Sequence, residues 1–274
     1  MPGRSESVIS VEPVPGVAKP DPILTIDSVR RLFGGVKAVD VAHLEIQRGT
    51  ITSLIGPNGA GKTTLFNVLT GFDEADDGTW HLNGGPLVGV PSFRVARKGM
   101  VRTFQLTRSL ARLSVMENVL LAAKNQSGET LRGSVLGRWR SVEEANTKRA
   151  AVLLERFGLD TMAQEYAGTL SGGQRKLLEM ARALMVEPEL VMLDEPTAGV
   201  NPALTQSLLE HIKEVRAEGR TVIFIEHDMD VVHEISDWVV VLSQGSVIAE
   251  GKPDQISTNP DVIDAYLGRH HGSV

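Results

Sequence analysis

The run Gly56-Pro57-Asn58-Gly59-Ala60-Gly61-Lys62-Thr63-Thr64 constrains this chain more than any other segment. It follows the strand-like stretch Ile51-Thr52-Ser53-Leu54-Ile55, and Gly56 to Thr63 satisfies G-x-x-x-x-G-K-[ST]. A strand must end at the first glycine, and a helix must begin where the loop ends, from Thr63 to Leu69. In the hollow between them the glycines let backbone N–H groups turn toward a β-phosphate. Lys62 reaches the β/γ oxygens, and the Thr63 hydroxyl is placed to ligate Mg2+. These residues imply a bound nucleoside triphosphate. They do not name a reaction: a glycine-rich turn can match the pattern by chance, and GTPases, kinases, helicases and transport ATPases all share it.

Composition narrows the classes. The chain has 274 residues, enough for one packed domain with an inserted lobe or for two small domains, and its hydrophobic content of 42% predicts an ordinary core. A formal net charge of −6 argues against a constitutive nucleic-acid binder, so no nucleic-acid partner is expected. Cysteine is absent, which removes disulfides, thiolate metal sites and cysteine nucleophiles together. No run approaches the roughly 18 apolar residues of a membrane span, and the first residues lack a signal peptide's apolar core. Work at a membrane would have to be done by docking through partners.

The chain is read as a sequence of zones. Pro2, Pro13, Pro15, Pro20 and Pro22 predict a flexible leader over residues 1–22. Alternating apolar residues from Ile23 to Ile26 and from Ala38 to Ile46 predict an antiparallel sheet with one buried face. From about Val115 to Ala167 the character is helical and charged, as expected of an inserted lobe. The apolar runs Leu190 to Leu193 and Thr221 to Ile225, separated by an amphipathic stretch from Leu204 to Glu218, predict parallel strands buried on both faces. Trp238 to Leu242 and Ser246 to Ala249, joined across Gln244-Gly245, predict a hairpin.

Two further segments carry chemistry. Leu193-Asp194-Glu195-Pro196 closes an apolar run, where an acidic residue is costly unless it meets a cation such as Mg2+. Asp194 is the candidate for that role, and Glu195 can polarise a water aimed at the γ-phosphate; an acidic helix cap is the structural alternative. Leu170-Ser171-Gly172-Gly173-Gln174-Arg175-Lys176 precedes a helix with Leu177, Met180, Ala181, Leu184 and Met185 on one face. A serine and glycines at a helix N-terminus offer a second anion site, or alternatively an ordinary capping loop.

With these motifs in this order, the chain resembles the ATP-binding cassette family from about Ile23 to the C-terminus. The resemblance implies an α/β fold: a P-loop NTPase core with a mainly parallel sheet, an antiparallel β subdomain and an inserted α-helical subdomain. It places the nucleotide-binding domain at 23–255, its helical subdomain at about 106–185, and a tail with a short helix at 256–274. It implies ATP and Mg2+ as cofactors and ATP hydrolysis as the activity. The phosphate loop Gly56 to Thr64 and the segment Ser171-Gly172-Gly173-Gln174 of a second subunit are then expected to sandwich ATP in a head-to-tail dimer. Gln105, in Arg102-Thr103-Phe104-Gln105, resembles the glutamine that senses Mg2+ and the attacking water. His227, in Ile225-Glu226-His227-Asp228, resembles the switch histidine at the γ-phosphate. Phe33 falls where the family sets an aromatic ring against adenine. Glu195, His227, Gln105 and Lys62 are thus the expected catalytic set, with Thr63, Gln105 and Asp194 about the metal.

Gly99 to Gln105, Ala198-Gly199-Val200-Asn201-Pro202, and Asn259 to Gly268 resemble the ATP-binding subunit of branched-chain amino acid importers. Asn201 stands where the wider family often has aspartate, and asparagine is usual in that group. The resemblance implies separate membrane permease subunits, an extracytoplasmic solute-binding protein acting indirectly, and a peripheral place on the cytoplasmic face of the membrane. Urea, short amides or another small solute remain alternative cargoes, and a soluble cassette ATPase acting on DNA or ribosomes is a more distant one.

Overall fold

The computed structural model describes residues 11–103, 110–124 and 139–267. In chain order they form β1 (Pro22–Phe33), β2 (Val36–Gln47), β3 (Ile51–Ile55), α1 (Lys62–Leu69), β4 (Asp77–Leu82), β5 (Gly85–Pro86), α2 (Ser92–Arg97) and β6 (Met100–Arg102). There follow α3 (Val115–Leu120), α4 (Trp139–Arg156), α5 (Gly172–Met185), β7 (Leu190–Asp194), α6 (Pro202–Ala217), β8 (Thr221–Ile225) and α7 (Met229–Ile235). The chain closes with β9 (Trp238–Ser243), β10 (Ser246–Gly251), α8 (Pro253–Ser257) and α9 (Pro260–Leu267). These residues divide into two compact units, one of Met1–Arg102, Glu189–Thr197 and Gln206–Val274, the other of Thr103–Pro188 and Ala198–Thr205.

The first unit holds two sheets. One is antiparallel, ordered β2-β1-β4-β5. The other is ordered β10-β9-β3-β8-β7-β6, with every pairing parallel except β9 with β10. Every residue of β3 and β8 is buried, which is why their sequences run apolar without alternation. The fold is therefore α/β with a mainly parallel central sheet and an antiparallel companion, as expected from the strand patterns. β9 and β10 meet at a tight turn in which Gln244 and Gly245 take φ of 49° and 85°, the two left-handed positions that such a hairpin needs.

The leader departs from expectation at residues 11–21. Lys19 is buried and donates to Glu250 Oε2 at 2.9 Å, and its ammonium lies 4.6 Å from the centroid of the Trp238 ring. Glu250 also accepts from Trp238 Nε1 at 3.0 Å and from the Gly16 amide at 2.7 Å. The Lys19 amide reaches Glu45 Oε2 at 2.6 Å. Proline-rich composition lowers the capacity for helix and sheet but does not preclude docking when one cation finds a buried carboxylate.

The second unit is helical among its described residues. Ser114 and Glu117 form a reciprocal capping box that starts α3. Leu153, Leu154, Leu177, Leu178 and Ala181 lie buried along α4 and α5. No helix of the described residues is long and apolar enough to cross a membrane.

Candidate functional site

The phosphate loop is built as its residues dictate. Gly56 and Gly61 take φ of 147° and 98°, a region that side chains resist. A Cβ on Gly56 would also run into the Leu242 carbonyl oxygen, and one on Gly61 into that of Ala38. The loop is pinned from behind, because the Gly245 amide donates to Ala60 O at 3.0 Å and the Asp40 amide to Gly245 O at 2.8 Å. Ala60 is buried by that packing, while Asn58, Gly59 and Thr63 are exposed. The Gly61 N-cap supplies no side-chain cap to α1, and the first turn holds no acidic residue. The N-terminal amides of α1 are thus arranged as an anion seat. Lys62 Nζ donates to the carbonyls of Gly56 at 2.7 Å and Pro57 at 3.2 Å, which holds the ammonium across the loop.

Two parallel strand ends converge beside the loop's own strand. β3 pairs with β8, and β8 with β7, so Ile55, Ile225 and Asp194 end at one edge of the sheet. The Asp194 carboxylate is buried and accepts from Arg102 Nη2 at 2.6 Å. Glu195 follows with a φ of 47°, held there by its amide donating to Ile225 O at 3.1 Å. A non-glycine residue in that region carries strain, and such strain is found where a side chain must be aimed. His227 stands exposed just past β8.

Glu226 was not picked out by sequence reasoning. It is fully buried, and its Oε1 accepts from the Thr197 amide at 3.2 Å and from the Thr197 hydroxyl. Its Oε2 accepts from the His227 amide at 3.2 Å and lies 3.7 Å from His227 Nδ1. One carboxylate therefore ties the segment after Glu195 to the residue expected at the γ-phosphate. Tyr266, on α9, was missed too. Burial raises the pKa of its hydroxyl, and the nearby Gly56 backbone partly opposes that shift.

Phe33 lies at the turn end of the β1–β2 hairpin with 48% of its surface exposed, and the Arg31 guanidinium sits 4.7 Å from its ring centroid. It is not a core residue, and about half of its surface stays open to solvent beside Arg31. In the second unit, Ser171 caps α5: its hydroxyl accepts from the Gln174 amide at 3.2 Å and its amide donates to Gln174 Oε1 at 2.9 Å. Gly172 is exposed, whereas Gly173 is buried under Leu204 with no room for a Cβ. Asn201 Oδ1 accepts from the Leu204 amide at 3.0 Å. Gln105 lies outside the described residues.

The residues present fit a nucleoside triphosphate and a divalent cation. Gly56 and Gly61 let the loop backbone pack against the Leu242 and Ala38 carbonyls, α1 has no side-chain cap, and the Asp194 carboxylate stands at the adjoining strand end, where it takes a cationic partner. Thr63 and Asp194 would supply two oxygens, within the number that Mg2+ takes from protein when phosphates complete its shell.

Fold and site together define a P-loop nucleotide-binding α/β cassette. The family model for the ABC transporter matches residues 39–198, and that for the branched-chain amino acid ATP-binding cassette transporter matches residues 246–272. The chain belongs to the ABC transporter family, whose cassettes bind and hydrolyse ATP. It is 45% identical over 250 residues to the high-affinity branched-chain amino acid transport ATP-binding protein LivG of Escherichia coli K12, covering 90% of this chain and 98% of that protein. A probable branched-chain amino acid transport ATP-binding protein LivG of Archaeoglobus fulgidus is 41% identical over 252 residues, covering 92% and 98%. Among solved structures, a nucleotide-free ATP-binding cassette from an ABC transporter superposes with a TM-score of 0.78 at 36% identity, covering 89% of this chain and 98% of that one.

Proposed function

We propose that this chain is the ATP-hydrolysing subunit of an importer for branched-chain amino acids. The observation that carries the ATPase reading is the convergence of an uncapped, glycine-cradled helix N-terminus with the buried strand end Asp194–Glu195. Similarity over residues 246–272 and the names of the relatives support the cargo.

The loop amides and Lys62 hold the β- and γ-phosphates, and Phe33 offers its face to adenine. Thr63 and Asp194, with Gln105, are the residues that would hold Mg2+, which when bound offsets the negative charge of the β,γ-phosphates. Glu195 orients a water for in-line attack: its oxygen bonds to the γ-phosphorus as the bond to the β,γ-bridging oxygen breaks. The water proton passes to the Glu195 carboxylate, and ADP carries away the electron pair. His227 contacts the γ-phosphate and is held by Glu226.

The second unit acts as the helical subdomain, and its Ser171-Gly172-Gly173-Gln174 segment covers the nucleotide of a second cassette subunit. Closure of that head-to-tail dimer moves separate permease subunits from the cytoplasmic face of the membrane, with an extracytoplasmic solute-binding protein delivering cargo. The test is reconstitution of the chain with its co-purifying permease and binding protein in proteoliposomes. ATP-dependent uptake of leucine is expected; uptake of urea or an amide without leucine uptake would contradict the assigned cargo.

A further inference from the structure

The guanidinium of Arg102 is the cation paired with the Asp194 carboxylate. Arg102 is the last residue of β6 and lies opposite Met192 of β7, two residues before Asp194 on the same strand. Alternate strand residues share a face, so Arg102 reaches along the strand to the carboxylate. The ion pair is 2.6 Å long, and its two side chains are only 6% and 7% exposed. The other end of the same guanidinium, Nη1, donates to Asn67 Oδ1 on α1, and the group lies 5.6 Å from the Phe66 ring centroid. One fixed cation thus bridges the acidic strand end to the helix that carries the phosphate loop.

A carboxylate buried this deeply is not tolerated unpaired. Arginine is suited to the post because it cannot lose its charge and its fork grips two partners at once. A divalent cation on Asp194 would set two further positive charges beside that fork, and at such separations in a dry site like charges repel strongly. We propose that Arg102 is a tethered counter-cation that neutralises Asp194 in the nucleotide-free chain and competes with Mg2+ for it. Arg102 thereby sets how much Mg2+ the site requires. This rests on the reading of Asp194 as a metal ligand. Arg102 acts here as a positioning residue, whose effect is exerted through Asp194.

The test is thermal melting of the full chain with a non-hydrolysable ATP analogue, titrated with Mg2+, in wild type, Arg102→Met, Arg102→Lys and Asp194→Asn. Arg102→Met is expected to melt lower than wild type in chelator without nucleotide, because Asp194 loses its partner. Its Mg2+ half-saturation is expected to fall about tenfold, because the competitor is gone. Arg102→Lys keeps a charge but grips only one partner, so it shifts half-saturation the same way by a smaller step and carries the test if the methionine variant does not fold. Unchanged or weakened Mg2+ affinity in both Arg102 variants would overturn the proposal. Asp194→Asn separates the two claims: it is expected to abolish the Mg2+-dependent rise in melting temperature. If that rise persists at the wild-type half-saturation, the metal-ligand reading of Asp194 fails, whatever the arginine variants show.

Discussion

Glu226 is the residue whose meaning changed most between sequence and structure. In Ile225-Glu226-His227-Asp228 it is one acid beside another, and no spacing marks it. Its importance comes from Thr197, distant in sequence and adjacent only once β7 and β8 pair. All its donors point at it, so an amide in its place would set N–H against N–H. Leaving a buried donor unmet costs about 1–3 kcal/mol. For Glu226→Gln we expect kcat for ATP hydrolysis to fall at least about tenfold while ATP affinity changes less than about threefold, since the lost order lies at the γ-phosphate end. A variant that loses affinity and turnover together would point to general misfolding. The local form at Lys62 and Phe33 is nearer to the sequence: the first opens α1 at the end of the glycine loop, and the second precedes the Gly34-Gly35 turn at an exposed hairpin end.

At the scale of elements, the sequence declared the buried parallel strands because β3, β7 and β8 have both faces covered and so read as unbroken apolar runs. It was silent on how those strands present charge. That Glu195 would turn through a left-handed conformation follows from packing rather than composition, whereas the missing side-chain cap of α1 is already written in Gly61. The helix α5 carries a titratable feature of its own. Glu179 is half-buried, and burial pushes its carboxyl up to about 7, with Lys176, Arg182 and Arg175 opposing the shift. The native chain therefore binds this proton more tightly than the unfolded chain, whose carboxyl titrates near 4.5. The stabilisation is complete below the unfolded value, declines as pH rises from there to about 7, and is gone above it. Glu179→Gln should remove that slope: melting temperatures from pH 5 to pH 8, about the span of the window, should fall less in the variant than in wild type. Parallel curves would contradict the shift.

For the molecule as a whole, the termini are less peripheral than composition suggests. Lys19, Trp238 and Glu250 form one buried cluster, so residues 11–21, the described part of the segment expected to be a flexible leader, are anchored to the strand that ends the main sheet. Removing one member of such a pair typically costs 3–5 kcal/mol, or about a third of a domain's stability, so this anchor belongs to the fold. The tail likewise brings Tyr266 near the Gly56 backbone. Proline count and helix length report local propensity, and neither predicts which long-range partner a single lysine or tyrosine will find. The fold class was legible because it follows from the periodicity of the strands and the order of the motifs.

The central claim is that the strand end beside the phosphate loop makes this cassette a hydrolase with Glu195 as its base. The most direct measurement is steady-state ATP hydrolysis by Glu195→Gln, read with ATP binding by calorimetry on the same preparation. The variant should bind ATP within about threefold of wild type and lose at least about a hundredfold in turnover, because the amide keeps the shape but cannot take the proton. Turnover equal to wild type with binding intact would contradict the account.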